Sequence, residues 1–420
     1  MATNRTFSAL LDDYVPDGLL KEEMKKRNYV YQNIEKDESW SGASSTTGEA
    51  AYVVKFKGAQ ASSIAFGALA DTTDISKSSF VRGRITTQPE LWGSLQFDHR
   101  DIMENDTVSE RKFLNLLPDE LSDFMDFISA ATSQQIMSGG SFAELTADGD
   151  TGGTGLMTVD RPERFEIGQK ISLDDDNSSA QTLYVTAVNM NTAVVTVSDT
   201  RGGSAFSISG YTTAQNAVVY HQGSQSSGFT SIKNSLLSSA NGGGTTLYGV
   251  TKTSYSYTQA INVDGSTITA VNIMEKIFDA MTTIERRGKG KITEAWLSLT
   301  NFGSCQKVIE NSKGSFNVKA GDNSAVQYGW QTITIGNAAG RIIKLVGLHE
   351  MDDDYIPFID WRALVFASNG GFRKRKSPDG IMYFESRATT GYSYIVDMCI
   401  FGDVVVKRPS YCGVLYSISY

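Results

Sequence analysis

The residues able to do chemistry are few and scattered. His99, His221 and His349 lie far apart, and His349-Glu350 lacks the second histidine of a zinc-protease helix. Cys305, Cys399 and Cys412 form no C-x-x-C pair, so zinc-ribbon and dithiol chemistry lack their residues. An odd cysteine count also defeats a disulfide framework, and reduced, buried thiols are expected. No nucleophile elbow, Walker-type phosphate loop or dinucleotide fingerprint occurs. Gly288-Lys289-Gly290-Lys291 has the composition of a phosphate loop, but it follows a helix instead of a strand and reads as a helix-ending turn. The acidic runs Asp174-Asp175-Asp176-Asn177 and Asp352-Asp353-Asp354 offer hard oxygens to Ca²⁺, yet lack the glycine and distal glutamate of an EF-hand loop. A solvated turn is the plainer reading of each. The strong basic run is Arg373-Lys374-Arg375-Lys376, ahead of the turn signal Ser377-Pro378-Asp379-Gly380. It reads as a charged loop contacting a neighbour or DNA, or as a solvated hairpin tip. DNA is disfavoured, because no aromatic platform flanks the run in sequence. These absences point away from catalysis, and no metal or cofactor is implied.

Composition agrees. Lys+Arg 38 against Asp+Glu 47 gives a formal charge of −9, the wrong sign for a nucleic-acid-coating or polybasic membrane protein. With 420 residues and 40% hydrophobic content, the chain has the length of two to three domains of roughly 150 residues each. No apolar run reaches membrane-spanning length, and residues 1–20 lack the apolar core of a signal peptide, so folding in the cytosol is expected.

The elements that would position these residues follow from periodicity. Residues 1–45 are polar, with a short helix at 21–27, and read as an arm lying on something else. Tyr52–Lys57, Phe80–Thr86 and Leu91–Phe97 are strand-like, and the excursion at 58–79 carries Ile64, Phe66, Leu69 and Ile75. Pro118 suits the first turn of a helix over 118–138, with Leu121, Phe124, Met125, Ile128, Ala131 and Ile136 on one face and Phe127 widening it. Gly139-Gly140 ends it. Residues 145–224 are strand-rich, with a strand at 165–173 and a hairpin around Asn189-Met190-Asn191-Thr192, and read as a small inserted β-barrel or sandwich. Ser266 opens a helix to Arg287, whose buried face includes Ile268, Val271, Met274, Ile277, Phe278, Met281 and Ile284. A strand at 295–299 and a helix from Thr300 follow, and strands dominate from Gln331 on. Helices beside a mixed sheet make the class α+β.

Three stretches carry a family resemblance. Leu91-Trp92-Gly93-Ser94-Leu95-Gln96-Phe97 and Asp101–Asp106 lead into the helix ending Ile136-Met137-Ser138-Gly139. Leu247–Lys252 leads through Val263-Asp264-Gly265 into the 266–287 helix, and Tyr392–Tyr420 forms a closing set of strands. In this order the chain resembles the major capsid protein of tailed bacteriophages, with the Hong Kong 97 phage-type fold. The resemblance implies an N-terminal arm at 1–50, an extended E-loop hairpin at 51–100 and a peripheral domain with its spine helix at 101–144. An inserted β-domain at 145–224 and a return through the peripheral domain at 225–262 follow. An axial domain at 263–390 and C-terminal strands at 391–420 complete the scheme.

What the resemblance implies for function is a shell subunit, located in the virion and assembled in the host cytoplasm. It would form hexamers and pentamers with copies of itself and meet packaged double-stranded DNA by weak non-specific contact. A separate scaffolding protein, a portal and a decoration protein are the further partners implied, and no membrane. Phe66, Leu69, Ile75, Lys77 and Phe80 would lie at a subunit interface. Lys77 is also the candidate donor for the Lys–Asn cross-link some relatives make, although no Asn or acidic partner is identifiable here. The alternative is a carbohydrate- or host-surface-binding β-rich virion protein, with Trp92, Trp330 and Trp361 as sugar platforms.

Overall fold

The computed structural model describes residues 17–38, 40, 52–57, 80–86, 89–98, 110–139, 141–149, 154–175, 180–215, 217–224, 228–288, 290–311, 332–336, 340–375, 384–388 and 391–418. Two compact units emerge: one from Met1–Met137 with Ile232–Tyr420, the other Ser138–Ser231.

In the larger unit the chain opens with α1 (Asp17–Arg27), α2 (Tyr29–Asn33) and β1 (Glu35–Asp37). The ribbon β2 (Tyr52–Lys57) and β3 (Phe80–Ile85), strand β4 (Glu90–Asp98) and the 28-residue helix α3 (Glu110–Met137) follow. In the second unit β5 (Ser141–Glu144), β6 (Leu156–Thr158), β7 (Lys170–Asp174), β8 (Gln181–Asn189), β9 (Val194–Ser198) and β10 (Val218–His221) form one sheet. Back in the first unit come α4 (Ile232–Leu236), β11 (Thr246–Leu247), β12 (Val250–Thr251), β13 (Ile261–Asp264), α5 (Ile273–Arg287), β14 (Glu294–Leu297) and α6 (Leu299–Asn311). Strands β15 (Thr332–Gly336), β16 (Ile342–Gly347), β17 (Ile356–Ile359), β18 (Leu364–Lys374), β19 (Phe384–Ala388), β20 (Gly391–Val406) and β21 (Gly413–Tyr416) complete it. No helix among the described residues is long and apolar enough to cross a membrane.

Two sheets organise the larger unit. One has the order β13-β21-β17-β14-β16-β15 and is covered by α5 and α6 through Ile277, Met281, Ile284, Phe302 and Cys305. The other centres on the 16-residue β20, which pairs antiparallel with β19 and β4 near its start and with β18 towards its end, while β1 adds to β18 in parallel. Helix α3 crosses this sheet at Gly93, where an added Cβ would lie 2.5 Å from Ile128 Cδ1.

Several sequence expectations need correction. Helix α3 begins at Glu110, so Pro118 lies inside it; Phe113, Leu116 and Leu117 continue the apolar spacing upstream and extend the helix despite the proline. Phe127 is 38% exposed and adds nothing to the buried face. Helix α5 begins at Ile273 because the preceding polar side chains hold the backbone in turns: Asp264 accepts from Ser266 N–H at 2.9 Å and Asn272 from Thr269 N–H at 2.7 Å. Val271 is accordingly exposed, and Phe278, within α5, is also exposed. Nor do residues 17–40 lie on something else. Leu20, Met24, Val30, Tyr31, Ile34 and Trp40 are buried within their own unit. Asn28 fixes the docking: its Oδ1 accepts from Tyr31 N–H at 2.8 Å, and its Nδ2 donates to Ser129 O at 3.2 Å.

The unit Ser138–Ser231 has the strand order β5-β10-β7-β8-β9-β6 around Phe142, Met157, Phe165, Ile171, Leu183, Val195 and Val219. The β8–β9 hairpin turns where Asn189 Oδ1 accepts from Asn191 N–H at 3.1 Å, as the sequence pattern predicts. The strand expected from Phe165 begins only at Lys170, because Pro162–Arg164 form a 3₁₀ turn and Phe165 packs edge-on against Phe142 at 4.7 Å. Entry and exit lie side by side: Ser141 pairs with Tyr220, and a Cβ on Gly139 would sit 2.8 Å from Ser231 Oγ.

Candidate interaction surfaces

Most of the described groups that could build a catalytic centre have structural surroundings. The three thiols are free and buried, and burial raises them to about 12 for Cys305, about 11 for Cys399 and about 12 for Cys412. His221 lies against the Phe142 ring at 4.4 Å, and desolvation lowers it to about 4. His349 is exposed in a turn, and His99 lies outside the described residues. Lys233 Nζ sits 2.7 Å from Asp354 and 3.7 Å from Asp352, so an ammonium already neutralises this acidic run. Asp174 and Asp175 are half-buried at the end of β7, and Asp176 and Asn177 lie outside the described residues. Gly288 closes α5, its N–H donating to Ile284 O at 2.6 Å, and a side chain on Gly290 would strike the Tyr411 backbone at 2.3 Å. That is a packed turn with no room to cradle a phosphate.

The first surface is the β2–β3 ribbon. Among the described residues its strands pair only with each other, from Tyr52↔Ile85 to Lys57↔Phe80. Its base is anchored: Tyr52, Val54 and Ile85 are buried in a cluster with Trp40, Leu247, Ala367 and Val405. Tyr52 Oη donates to Asp37 at 2.6 Å, and Arg84 N–H donates to Tyr248 O at 2.9 Å. Phe80 is the first residue of β3, while Phe66, Leu69, Ile75 and Lys77 lie outside the described residues.

The second surface is built on the basic run, and here the strand geometry revises the reading of a single charged loop. Arg373 and Lys374 are the last residues of β18, and strand alternation sends their side chains to opposite faces. Lys374 is buried, its N–H donating to Asp17 Oδ1 at 3.2 Å. Arg373 and Arg375 share the outer face, and Lys376 lies outside the described residues. A bulge between Ser368 and Phe372, with Gly370 and Gly371 at positive φ, sets the register, and a side chain on Gly370 would come within 3.1 Å of Arg373 Nη1.

The run does have aromatic neighbours, supplied by other strands. Arg373 lies over the Phe401 ring at 5.3 Å and Arg375 over the Trp92 ring at 5.5 Å, while the two rings meet edge to face at 5.3 Å. Asp397 accepts from Ser94 Oγ at 2.6 Å and lies 3.4 Å from Arg375, and Glu90 accepts from Trp92 Nε1 at 2.9 Å. Sequence reading missed Trp92 and Phe401 because the pairings Arg373↔Cys399 and Cys399↔Trp92 join distant segments. The available signal was the alternation of β4: Trp92, Ser94 and Gln96 on one face, Leu91, Gly93 and Leu95 on the other. Of the remaining sugar-platform candidates, Trp361 packs against Trp296 at 5.4 Å and Trp330 lies outside the described residues.

No family model and no curated protein matches the sequence. Among solved structures, the chain is similar to the capsid of the empty GTA particle, with TM-score 0.44, 10% identity and coverage of 93% of this chain and 96% of that one. It is also similar to a chain of Gordonia phage Cozz, with TM-score 0.42, 12% identity and coverage of 93% and 86%. A third is the capsid of cyanophage A-1(L), with TM-score 0.41, 10% identity and coverage of 92% and 91%.

Proposed function

We propose that this chain is the structural subunit of an icosahedral phage head. It assembles with copies of itself into hexamers and pentamers around double-stranded DNA and catalyses nothing. The observation that carries the reading is the β2–β3 ribbon. It is fixed to the subunit by buried Tyr52, Val54 and Ile85, it gains no third strand among the described residues, and the sequence between its strands carries Ile64, Phe66, Leu69 and Ile75. A two-stranded ribbon is marginal in water by itself, so apolar residues along it favour a covering surface. A repeated neighbour in a closed shell supplies one at every position. Phe66, Leu69, Ile75, Lys77 and Phe80 are the interface residues in this scheme.

A separate scaffolding protein, a portal and a decoration protein are the further partners, and packaged DNA is held by weak non-specific contact, in keeping with the net negative charge. The site of action is the virion, after assembly in the host cytoplasm. The test is hydrogen exchange over residues 55–98 in free and assembled subunits, with assembly scored by negative-stain electron microscopy. Slower exchange on assembly is expected, and equal exchange in both states overturns the reading.

A further inference from the structure

Two asparagines precede glycine in this chain, in Asn241-Gly242 and Asn369-Gly370, and the fold treats them differently. We propose that Asn369, assisted by Arg373, is a self-modifying residue: its side-chain amide closes onto the Gly370 nitrogen, and the ring opens to aspartate or isoaspartate. The inference goes beyond the shell reading and does not depend on it.

The bulge in β18 supplies the slack. Ser368 pairs with Gly402 and Phe372 with Ile400, so Asn369, Gly370 and Gly371 stand together opposite Phe401 alone. Residues in excess of the ladder are not held in the regular extended form that keeps a side chain away from the next peptide nitrogen. Gly370 has no Cβ to obstruct the approach, and its φ of +89 is a conformation that glycine takes readily. Asn369 is exposed, and its amide has no hydrogen-bond partner among the described residues. At the other step Asn241 Nδ2 donates to Asn262 Oδ1 at 3.2 Å, and its backbone N–H donates to Ser238 O at 3.0 Å. The same dipeptide is tied in one place and untied in the other.

A cation completes the site. Arg373 Nη1 lies 3.1 Å from where a Cβ on Gly370 would stand. The nucleophile is the deprotonated peptide nitrogen of Gly370, and a neighbouring guanidinium favours that anion. Its lone pair attacks Asn369 Cγ and the Cγ–Nδ2 bond breaks. The Gly370 proton passes through water to Nδ2, which leaves as ammonia. Water then adds to one of the two carbonyls of the cyclic imide. Opening at Cγ gives aspartate, and opening at the backbone carbonyl of residue 369 gives isoaspartate, with an extra methylene in the main chain. Either product is a carboxylate at neutral pH. The chain thereby becomes one charge more negative than −9, and the loss of ammonia makes the change one-way.

The test incubates the full chain, native and urea-unfolded, in water enriched in heavy oxygen at neutral and mildly alkaline pH. Peptide mass spectrometry follows heavy oxygen entering positions 369 and 241, and electron-transfer fragmentation separates aspartate from isoaspartate. In the native chain position 369 should gain label about tenfold faster than position 241, and in the unfolded chain the two should agree within about twofold. Arg373→Gln should slow the native reaction at 369 by about fivefold, the effect of one charge at short range in water. Arg373→Lys keeps the charge and should keep most of the rate. Absence of label at 369, or equal native rates at the two positions, overturns the proposal. A wild-type rate in Arg373→Gln overturns the part given to the cation. The wild-type ratio of the two positions decides if a variant misfolds.

Discussion

Replacing Gly93 with alanine should force β4 away from α3. The added methyl would lie 2.5 Å from Ile128 Cδ1, 2.6 Å from Phe124 Cζ and 2.8 Å from Phe124 Cε2. Carbon atoms in good contact sit about 3.5–4.0 Å apart, so the overlap is roughly 1 Å against two side chains at once. Ile128 is 3% exposed and cannot swing into solvent. Overpacking of this kind costs about 1–3 kcal/mol. Ile128→Val removes the clashing Cδ1 and alone costs about 0.5–1.5 kcal/mol. In the double variant the deleted methyl makes room for the inserted one, so the two effects should fall short of their sum by about 1 kcal/mol. The remaining Phe124 contact keeps the rescue partial. Urea unfolding of the four proteins, followed by far-ultraviolet circular dichroism, reads the cycle. A neutral Gly93→Ala, or additivity to within about 0.5 kcal/mol, would refute the packing of α3 on β4 at this point.

Three further outcomes follow from buried polar groups. All three thiols should resist Ellman's reagent at pH 8 in the native chain and react on unfolding, since burial holds them at about 11 to 12. Their folded values exceed the ordinary value of 9.0, so the stability they contribute is intact below pH 9 and lost as pH rises through 11–12. Cys412→Ala should therefore flatten the alkaline decline in melting temperature, and an unchanged slope would contradict the burial. Lys252, 5% exposed, donates through Nζ to Asn234 O at 2.5 Å and Leu237 O at 2.8 Å, closing the end of α4. Lys252→Met should cost about 1–3 kcal/mol at neutral pH by leaving those carbonyls unpaired, and a neutral result in urea unfolding would show that they find other donors.

The local grammar of the fold was legible where one residue type decides it. Gly139 adopts φ +87 at the end of α3, and Asn189 turns its hairpin by hydrogen-bonding its own backbone, both as the sequence pattern predicts. What failed needed knowledge of neighbours. Val271 fits the apolar spacing of α5 yet stands 80% exposed, because Asp264 and Asn272 keep that stretch in turns. The basic run looked like one loop, but a strand divides it: Lys374 goes inside and the two arginines outside. The aromatics under those arginines come from residues 92 and 401, and only strand pairing brings such distant positions together. The polar helix at 17–27 gave little hint of its buried Leu20 and Met24, because its charges outnumber them.

The adjacency of Gly139 and Ser231 bears on how this chain tolerates change in length. A segment whose two ends touch asks its host only for a short gap to be bridged, and bridging entropy grows slowly with the number of residues enclosed. Residues between those ends can be trimmed, lengthened or exchanged for another self-contained module while Met137 and Ile232 keep their places. The position is thus a natural graft point: a few glycines should suffice to span it once the intervening sheet is excised, and a foreign domain with neighbouring termini should be accepted there without retuning either large sheet.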